Sequence, residues 1–293
     1  MKREGYLMER IADPDNLRLA FWKARKGKNY NDEVKHYRFR LDANLAELRR
    51  ELLAGDVPVG DYRYFHIYDP KERMICAAAF RERVLHHAVM IVCHPVFERF
   101  QTDDSYASRI GKGQYAALEK AKTHTRHYRW FCKLDVRKFF DSIDHETLYG
   151  LLSRRFKDPA LLGLFRRIID SYRTAPGCGL PIGNLTSQHF ANYYMAYADH
   201  HVREALRAPA YVRYMDDMVL WHDDKTELLR ITAGLTSFIG ERLRLTLKPP
   251  CINNTDKGVP FLGYVLFPGR VRLNRNSKKR FRCKMNSYDI KLD

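Results

Sequence analysis

A chain of 293 residues with 45% hydrophobic content can bury a sizeable core and has room for about two domains, which excludes a disordered or fibrous protein. Lys and Arg number 52 against 35 Asp and Glu, so the net charge is +17 and the expected partner is a polyanion, nucleic acid before membrane. No run reaches the roughly 18 apolar residues a spanning helix needs, and the opening MKREGYLMER lacks a signal peptide's apolar stretch, so a cytoplasmic protein is expected.

Taken in chain order, residues 15 to 26 read as an amphipathic helix that Asp15 can cap, with Leu17, Ala20, Phe21 and Ala24 on one face. Val34, Tyr37, Leu41, Leu45, Leu48 and Leu52 recur at helical spacing and predict a second helix, stopped by Gly55. Residues 61 to 79 change to strand texture on either side of DPKE and suggest a hairpin. Helical pattern resumes at Arg81, and FERFQTDDSYASRIGKGQYAALEKA reads as a loop leading into a short helix near 114 to 122.

From Trp130 onward, WFCKLDV reads as a buried strand, and Asp144 and Asp158-Pro159 each supply a helix start. A helix over about 184 to 207 is ended by Pro209. Tyr211 to Tyr214 and Met218 to Trp221 read as two strands around a tight Met-Asp-Asp turn, followed by a helix at 225 to 241. Then come a strand-like RLTL and a hairpin, FLGYVLFPGRVRL, turning at Pro268-Gly269. Between Arg270 and Lys284 there are eight Lys or Arg and no acid. The six cysteines (76, 93, 132, 178, 251 and 283) contain no CxxC pair, so reduced, mostly core thiols are expected rather than zinc or disulfides. The histidine pairs 86/87, 124/127 and 200/201 read as solvated or core residues, since none brings further ligands at metal spacing.

Two adjacent carboxylates, Asp216 and Asp217, stand between apolar strands, and Asp135 ends the WFCKLDV strand 81 residues earlier. Carboxylates held together repel one another, and the repulsion is relieved when hard cations bind between them. Two such cations can activate an attacking hydroxyl and stabilise a leaving oxygen in phosphoryl transfer. Alone, an Asp-Asp dipeptide reads equally as a hairpin turn facing water.

The surrounding motifs lift that ambiguity. YMDD, preceded by LDVRKFFDSIDHETL and GLPIGNLTSQHFANYYM and followed by LKPP and FLGY, resembles the ordered motifs of reverse transcriptases, from about Ala77 to Tyr264. IGNLTSQ and SYASRIGKG look like the branch found in diversity-generating retroelements, because group II intron and retroviral relatives usually carry Gln-Gly followed by Ser-Pro. The resemblance implies an α+β right-hand polymerase: an N-terminal helical extension over 1–60, fingers over 61–129 and a palm of antiparallel sheet packed on helices over 130–265. Helices near 145–180 would associate with the fingers, and 266–293 would begin a short basic thumb.

Carried onto this chain, the resemblance makes Asp135, Asp216 and Asp217 the catalytic, metal-binding carboxylates for two Mg2+ ions, with Mn2+ as a substitute. Asp141 and Asp144 read instead as turn or helix-capping residues. Phe140 stands where the family places a ring that clashes with a 2′-hydroxyl. Arg109 and Lys112, in the Gly-containing loop, would neutralise the incoming triphosphate. Ile182, Gly183 and Gln188 would lie at the nascent base pair; Gln188 departs from the usual Pro, and Ile182, where many relatives have Gln, offers volume but no hydrogen bond and would hold the nucleotide less specifically. Lys248 of LKPP would protonate pyrophosphate. Ser187 lacks the GxSxG setting of a hydrolase nucleophile.

Arg81 and Arg83 would contact template phosphates, and Phe261, Leu262, Gly263 and Tyr264 would support the primer terminus. Arg270, Arg272, Lys278, Lys279 and Arg280 would follow the template-primer backbone, with binding that weakens steeply in salt. The implied partners are a template RNA, a DNA or RNA primer, deoxynucleoside triphosphates and a small basic accessory protein, with no membrane, in a bacterial or phage-encoded setting. The implied product is error-prone, adenine-biased cDNA. Retron-like and group II intron-like reverse transcriptases are the alternative enzymes, and a catalytically silent RNA-binding relative is the alternative of another class.

Overall fold

The computed structural model describes residues 3–68 and 72–289. In chain order the elements begin with helices α1 (Met8–Ile11), α2 (Pro14–Arg25), α3 (Asp32–Phe39) and α4 (Leu41–Ala54), then strands β1 (Tyr62–Ile67) and β2 (Arg73–Ala78). Helices α5 (Phe80–Glu98) and α6 (Gln114–His127), strand β3 (Trp130–Asp135) and helices α7 (Phe139–Ser142), α8 (His145–Ser153), α9 (Pro159–Asp170) and α10 (Leu185–His200) follow. The remainder is β4 (Ala210–Tyr214), β5 (Asp217–His222), α11 (Lys225–Leu243), β6 (Cys251–Asn254), β7 (Val259–Phe261), β8 (Tyr264–Phe267), β9 (Arg270–Leu273) and α12 (Arg275–Asp289).

Contacts group these elements into two compact units: Met1–Gln101 with Lys138–Tyr194, and Thr102–Arg137 with Met195–Asp293. The first unit is mostly helical. Leu17, Ala20, Phe21 and Ala24 of α2 are buried, the face expected from their spacing. Phe21 meets Phe80 of α5 edge-on at 6.0 Å. A second run of rings ties α5, α9 and α10 together through Phe97, Phe156, Phe165 and Phe190, with centroids 5.2 to 5.3 Å apart. The β1–β2 hairpin is antiparallel from Tyr62 opposite Ala78 to Ile67 opposite Arg73. Most of its expected DPKE turn, residues 69–71, lies outside the described residues.

The second unit is built on an antiparallel sheet of order β4-β5-β3-β6. One face presents Phe131, Val212, Val219 and Trp221, which cluster with Ala117, Leu118 and Ala121 of α6. The other face carries Cys132, whose thiol interacts with Thr232 of α11. Both faces are therefore covered, which explains why β4 and β5 are apolar without alternation. A three-stranded meander, β7-β8-β9, completes the unit and sends Val259, Phe261 and Leu266 into the same cluster.

Several boundaries differ from the sequence reading for identifiable reasons. The cap of α2 is Asp13, not Asp15: its carboxylate accepts from the backbone N–H groups of Asp15 and Asn16. The helix expected over 34–52 breaks at Arg40 (φ −115°, ψ 37°), where Asn44 Nδ2 takes the Tyr37 carbonyl at 2.8 Å in place of a helical N–H. Gly55 does stop α4, in the left-handed conformation (φ 76°).

Asp144 caps α8 through Thr147 N at 2.7 Å, whereas Asp141 lies inside α7 and caps nothing in that helix. RLTL is not a strand. Arg244 closes α11 in a left-handed conformation and only Leu247 bridges the sheet, to Val136; the neighbouring strand is the unanticipated β6. Cys76, Cys93 and Cys132 are buried, but Cys251 and Cys283 are exposed, so the thiols are less uniformly core than expected.

Candidate active site

The carboxylates are brought together by strand register. β3 runs antiparallel to β5 with Asp135 directly opposite Asp217, and the β4–β5 hairpin turns through Met215 and Asp216. Directly opposed residues in an antiparallel pair have side chains about 5 Å apart, so the sheet forces two acids into each other's field. Met215 holds a left-handed φ of 59°, unusual for a residue with a side chain and costing on the order of 1–3 kcal/mol. Burial pushes the Asp217 carboxyl up to about 6, against the pull of Lys133, and the Asp216 and Asp135 charges add to the rise.

Two lysines answer this charge. Lys133 Nζ lies 3.2 Å from Asp217 Oδ2 and also donates to the Pro260 carbonyl at 2.9 Å. Lys248 Nζ lies 2.6 Å from Asp135 Oδ1 without hydrogen-bond geometry, and Lys248 N donates to the Asp135 carbonyl at 2.9 Å. The LKPP segment thus runs beside the end of β3, as Leu247 bridges Val136.

Asp135 Oδ1 and Asp217 Oδ1 are buried and accept no hydrogen bond. Buried carboxylate oxygens are rarely left so, and oxygen donors of this kind suit a hard divalent cation. Among the described residues, however, no group of three His, Cys, Asp or Glu is spaced to hold a metal ion. The donor set fits a divalent cation in chemistry, and Lys133 and Lys248 pair with two of its carboxylates.

The loop before α6 belongs to the same unit. Arg109 donates to the carbonyls of Thr102 and Ser105, the latter at 2.9 Å, and Lys112 Nζ donates to the Asp103 carbonyl at 2.6 Å while lying 4.9 Å over the Tyr106 ring. Both cations are engaged in shaping their own loop. At the meander, Leu262 (φ 46°) and Gly263 (φ 86°) form a tight turn, and Leu262 O accepts from Gln114 Nε2 at 3.0 Å. Phe261 is core, and Tyr264 packs against the same cluster. Arg270 and Arg272 are exposed and lie over the Phe267 ring; Lys278, Lys279 and Arg280 are exposed on α12.

Phe140, Ile182 and Gly183 belong to the first unit. Leu180 N donates to the Phe140 carbonyl, and Cys76 N of β2 donates to the Ile182 carbonyl, both at 2.8 Å. Asn184 Oδ1 accepts from Ala78 N at 3.2 Å, so the PIGN loop is stitched to β2. Gly183 has φ 118° and sits where a Cβ would come within 3.0 Å of Ile75. Gln188 is exposed on α10. Arg83 Nε donates to the Ala78 carbonyl at 2.7 Å, and Arg81 pairs with Glu51.

Three residues at or next to the carboxylates stand outside the recognisable motifs: Lys133, Arg213 and Asp199. Lys133 and Arg213 each gave a signal, a charge set inside an otherwise apolar strand, in WFCKLDV and AYVRY. Arg213 and Asp199 are fully buried, with Arg213 Nη2 2.6 Å from Asp199 Oδ2.

Comparison with known proteins agrees with this architecture. A family model described as "Reverse transcriptase (RNA-dependent DNA polymerase)" matches residues 69–266. The group II intron-encoded protein LtrA of Lactococcus lactis subsp. cremoris is 24% identical over 215 residues, covering 66% of this chain and 35% of that protein. Protein YkfC of Escherichia coli strain K12 is 25% identical over 290 residues, covering 80% of this chain and 74% of that one. Among solved structures, apo telomerase from Candida tropicalis superposes with a TM-score of 0.55 at 11% identity, over 74% of this chain and 49% of the telomerase, a likeness of fold. The chain therefore spans about a third of the length of the intron-encoded protein it matches. With a family match over more than half of its length, the expected motif order and a mixed helix and sheet fold shared with telomerase, the chain belongs to the reverse transcriptase (RNA-dependent DNA polymerase) family.

Proposed function

We propose that this chain is an RNA-directed DNA polymerase, extending a DNA or RNA primer with deoxynucleotides on a template RNA. The observation that carries this reading is the register of β3 on β5, which sets Asp135 opposite Asp217 with Asp216 in the adjoining turn. In the proposed division, 130–265 is the palm, 61–129 the fingers, 266–293 the start of a basic thumb and 1–60 a helical extension. The primer 3′-hydroxyl attacks the α-phosphate of the nucleotide, forming the new phosphodiester bond as the bond to pyrophosphate breaks, and the hydroxyl proton passes to solvent. Bound at the three carboxylates, divalent cations, Mg2+ or Mn2+, supply activation of that hydroxyl and neutralisation of the leaving charge.

The chain's own groups do the rest. Lys133 beside Asp217 and Lys248 beside Asp135 offset the carboxylate charge. Lys248, at the mouth of the site, is the proton donor to pyrophosphate. Arg109 and Lys112 bind the triphosphate, Phe140 excludes a 2′-hydroxyl, and Arg81, Arg83 and the α12 cations track nucleic acid phosphates.

The subtype favoured by IGNLTSQ and SYASRIGKG is the polymerase of a diversity-generating retroelement, working with a small basic accessory protein. Ile182 supports it: an aliphatic side chain offers volume but no hydrogen bond to an incoming nucleotide, which favours error-prone copying at template adenines. A group II intron-like enzyme is the second reading, favoured by the match to the intron-encoded protein. Primer extension on an RNA template, comparing wild type with Asp216→Ala, tests the activity: wild type extends and the variant does not. Equal extension by the two would defeat the polymerase reading, and uniform fidelity at all four template bases would defeat the subtype.

A further inference from the structure

The β4 strand that leads into the catalytic turn carries a fully buried arginine, Arg213, whose guanidinium reaches three directions at once. Its Nε and Nη2 bond the two oxygens of Asp199 at 2.7 and 2.6 Å as a bidentate fork. Its Nη1 donates to the carbonyl of Met215 at 3.0 Å, and Nη2 also donates to Ser105 Oγ at 3.0 Å. Tyr211 Oη donates to Asp199 Oδ1 at 2.9 Å, so the acceptor is itself held.

The backbone at the same position repeats the link. Arg213 N donates to the Asp104 carbonyl at 2.8 Å, and Tyr106 N donates to the Arg213 carbonyl at 3.0 Å. Arg203 Nε lies 3.1 Å from Asp104 Oδ2, holding the far side of that segment. The segment 104–106 thus runs along the edge of β4 and continues into the loop that carries Arg109, whose own guanidinium is turned back onto Thr102 and Ser105.

A buried ion pair is poor value for stability alone, because desolvating both charges offsets most of their attraction. Its use here is geometric. The Met215 carbonyl belongs to the peptide that leads into Asp216, and Met215 is the residue held at φ 59°. A guanidinium locked by Asp199 can fix the orientation of that peptide, and with it the direction in which Asp216 and Asp217 leave the turn.

We propose that Arg213 is a positioning residue: anchored by Asp199, it holds the left-handed Met215 peptide and the 104–106 segment as one rigid body, so that the carboxylates are set for divalent cations. The inference rests on the polymerase reading for its kinetic consequence but not for its binding consequence. A lysine at 213 keeps a positive charge on Asp199 yet cannot span Asp199, Met215 and Ser105 together.

The test uses the full chain, with Mn2+ as the probe, read by electron paramagnetic resonance titration and by primer extension. Arg213→Lys should bind Mn2+ about tenfold more weakly and, from turn misplacement, lose about 100-fold in kcat while KM for primer-template stays unchanged. The charge-free pair Asp199→Asn with Arg213→Gln, which removes the buried ions without stranding either, should show the same loss. Leu235→Ala, a core truncation on α11, should melt lower but bind Mn2+ like wild type. The proposal is overturned if Arg213→Lys or the charge-free pair titrates like wild type, or if Leu235→Ala loses as much Mn2+ affinity as they do. A wild type that binds Mn2+ but never extends a primer would defeat the polymerase reading and leave the Mn2+ comparison to judge Arg213.

Discussion

Phe140 stands half-buried on the four-residue helix α7, its ring edge-on to the core residue Phe139 at 5.4 Å. The hydrogen bond from Leu180 N to its carbonyl fixes the backbone, so the ring's position does not depend on a flexible loop. A rigid ring is what steric selection requires, because exclusion of one hydroxyl fails if the obstacle can swing away. Phe140→Ala should therefore incorporate ribonucleotides more readily, lowering deoxy-over-ribo discrimination by about tenfold or more in single-nucleotide extension. Unchanged discrimination would return Phe140 to the core. At the carboxylates, motif order pointed to the three acids and to Lys248 of LKPP, but not to Lys133, which is a lysine like many others until the register brings it beside Asp217.

Among the elements, the PIGN loop shows most directly how local chemistry sets backbone conformation. Gly183 adopts φ 118° because Cys76 N and Ala78 N draw the loop onto β2, leaving 3.0 Å between a Cβ and Ile75 and 3.3 Å to the Cys76 carbonyl. Gly183→Ala should lower unfolding free energy by about 1–3 kcal/mol in denaturant titration. Gly163→Ala, on the exposed face of α9 with nothing near its Cβ, should raise it by roughly 0.5–1 kcal/mol, and equal effects at the two glycines would contradict this account. Elements governed by such local rules were readable: α2 from its apolar face, α9 from Asp158-Pro159, the β4–β5 hairpin from its flanking strands. Elements settled by a distant partner were not. The break at Arg40 depends on an asparagine side chain four residues on, and β6 exists because β3 offers it an edge to pair with. The Arg213–Asp199 pair joins residues on a strand and a helix, and no period in either reports the other.

At the scale of the molecule, each unit is assembled from two stretches separated in sequence, and its histidines record how that assembly excludes water. His87, His124 and His189 are each pushed down to about 4, chiefly by burial, with neighbouring cations or histidines adding to the fall. An unfolded chain protonates these rings near 6.5, so between pH 6.5 and about 4 it binds more protons than the folded one, and stability declines as pH falls through that window. Asp217, raised to about 6, and Asp104, also raised chiefly by burial, have the opposite sign and contribute stability at low pH that is lost as pH rises, but they are two carboxyls against four histidines, since burial lowers His201 as well. Melting temperature should therefore fall between pH 7 and pH 4.5. His124 offers the cleanest check. Its ring packs 5.3 Å from Trp221 and 6.1 Å from Tyr128, its Nε2 is buried without a partner, and Lys120, Arg203 and His127 all disfavour its charge. His124→Phe keeps the ring and removes both the orphaned nitrogen and the proton site, so it should raise the melting temperature more at pH 5 than at pH 7.5. A shift of the same size at both pH values would show that His124 contributes packing alone, and that the acid sensitivity resides at the other buried histidines.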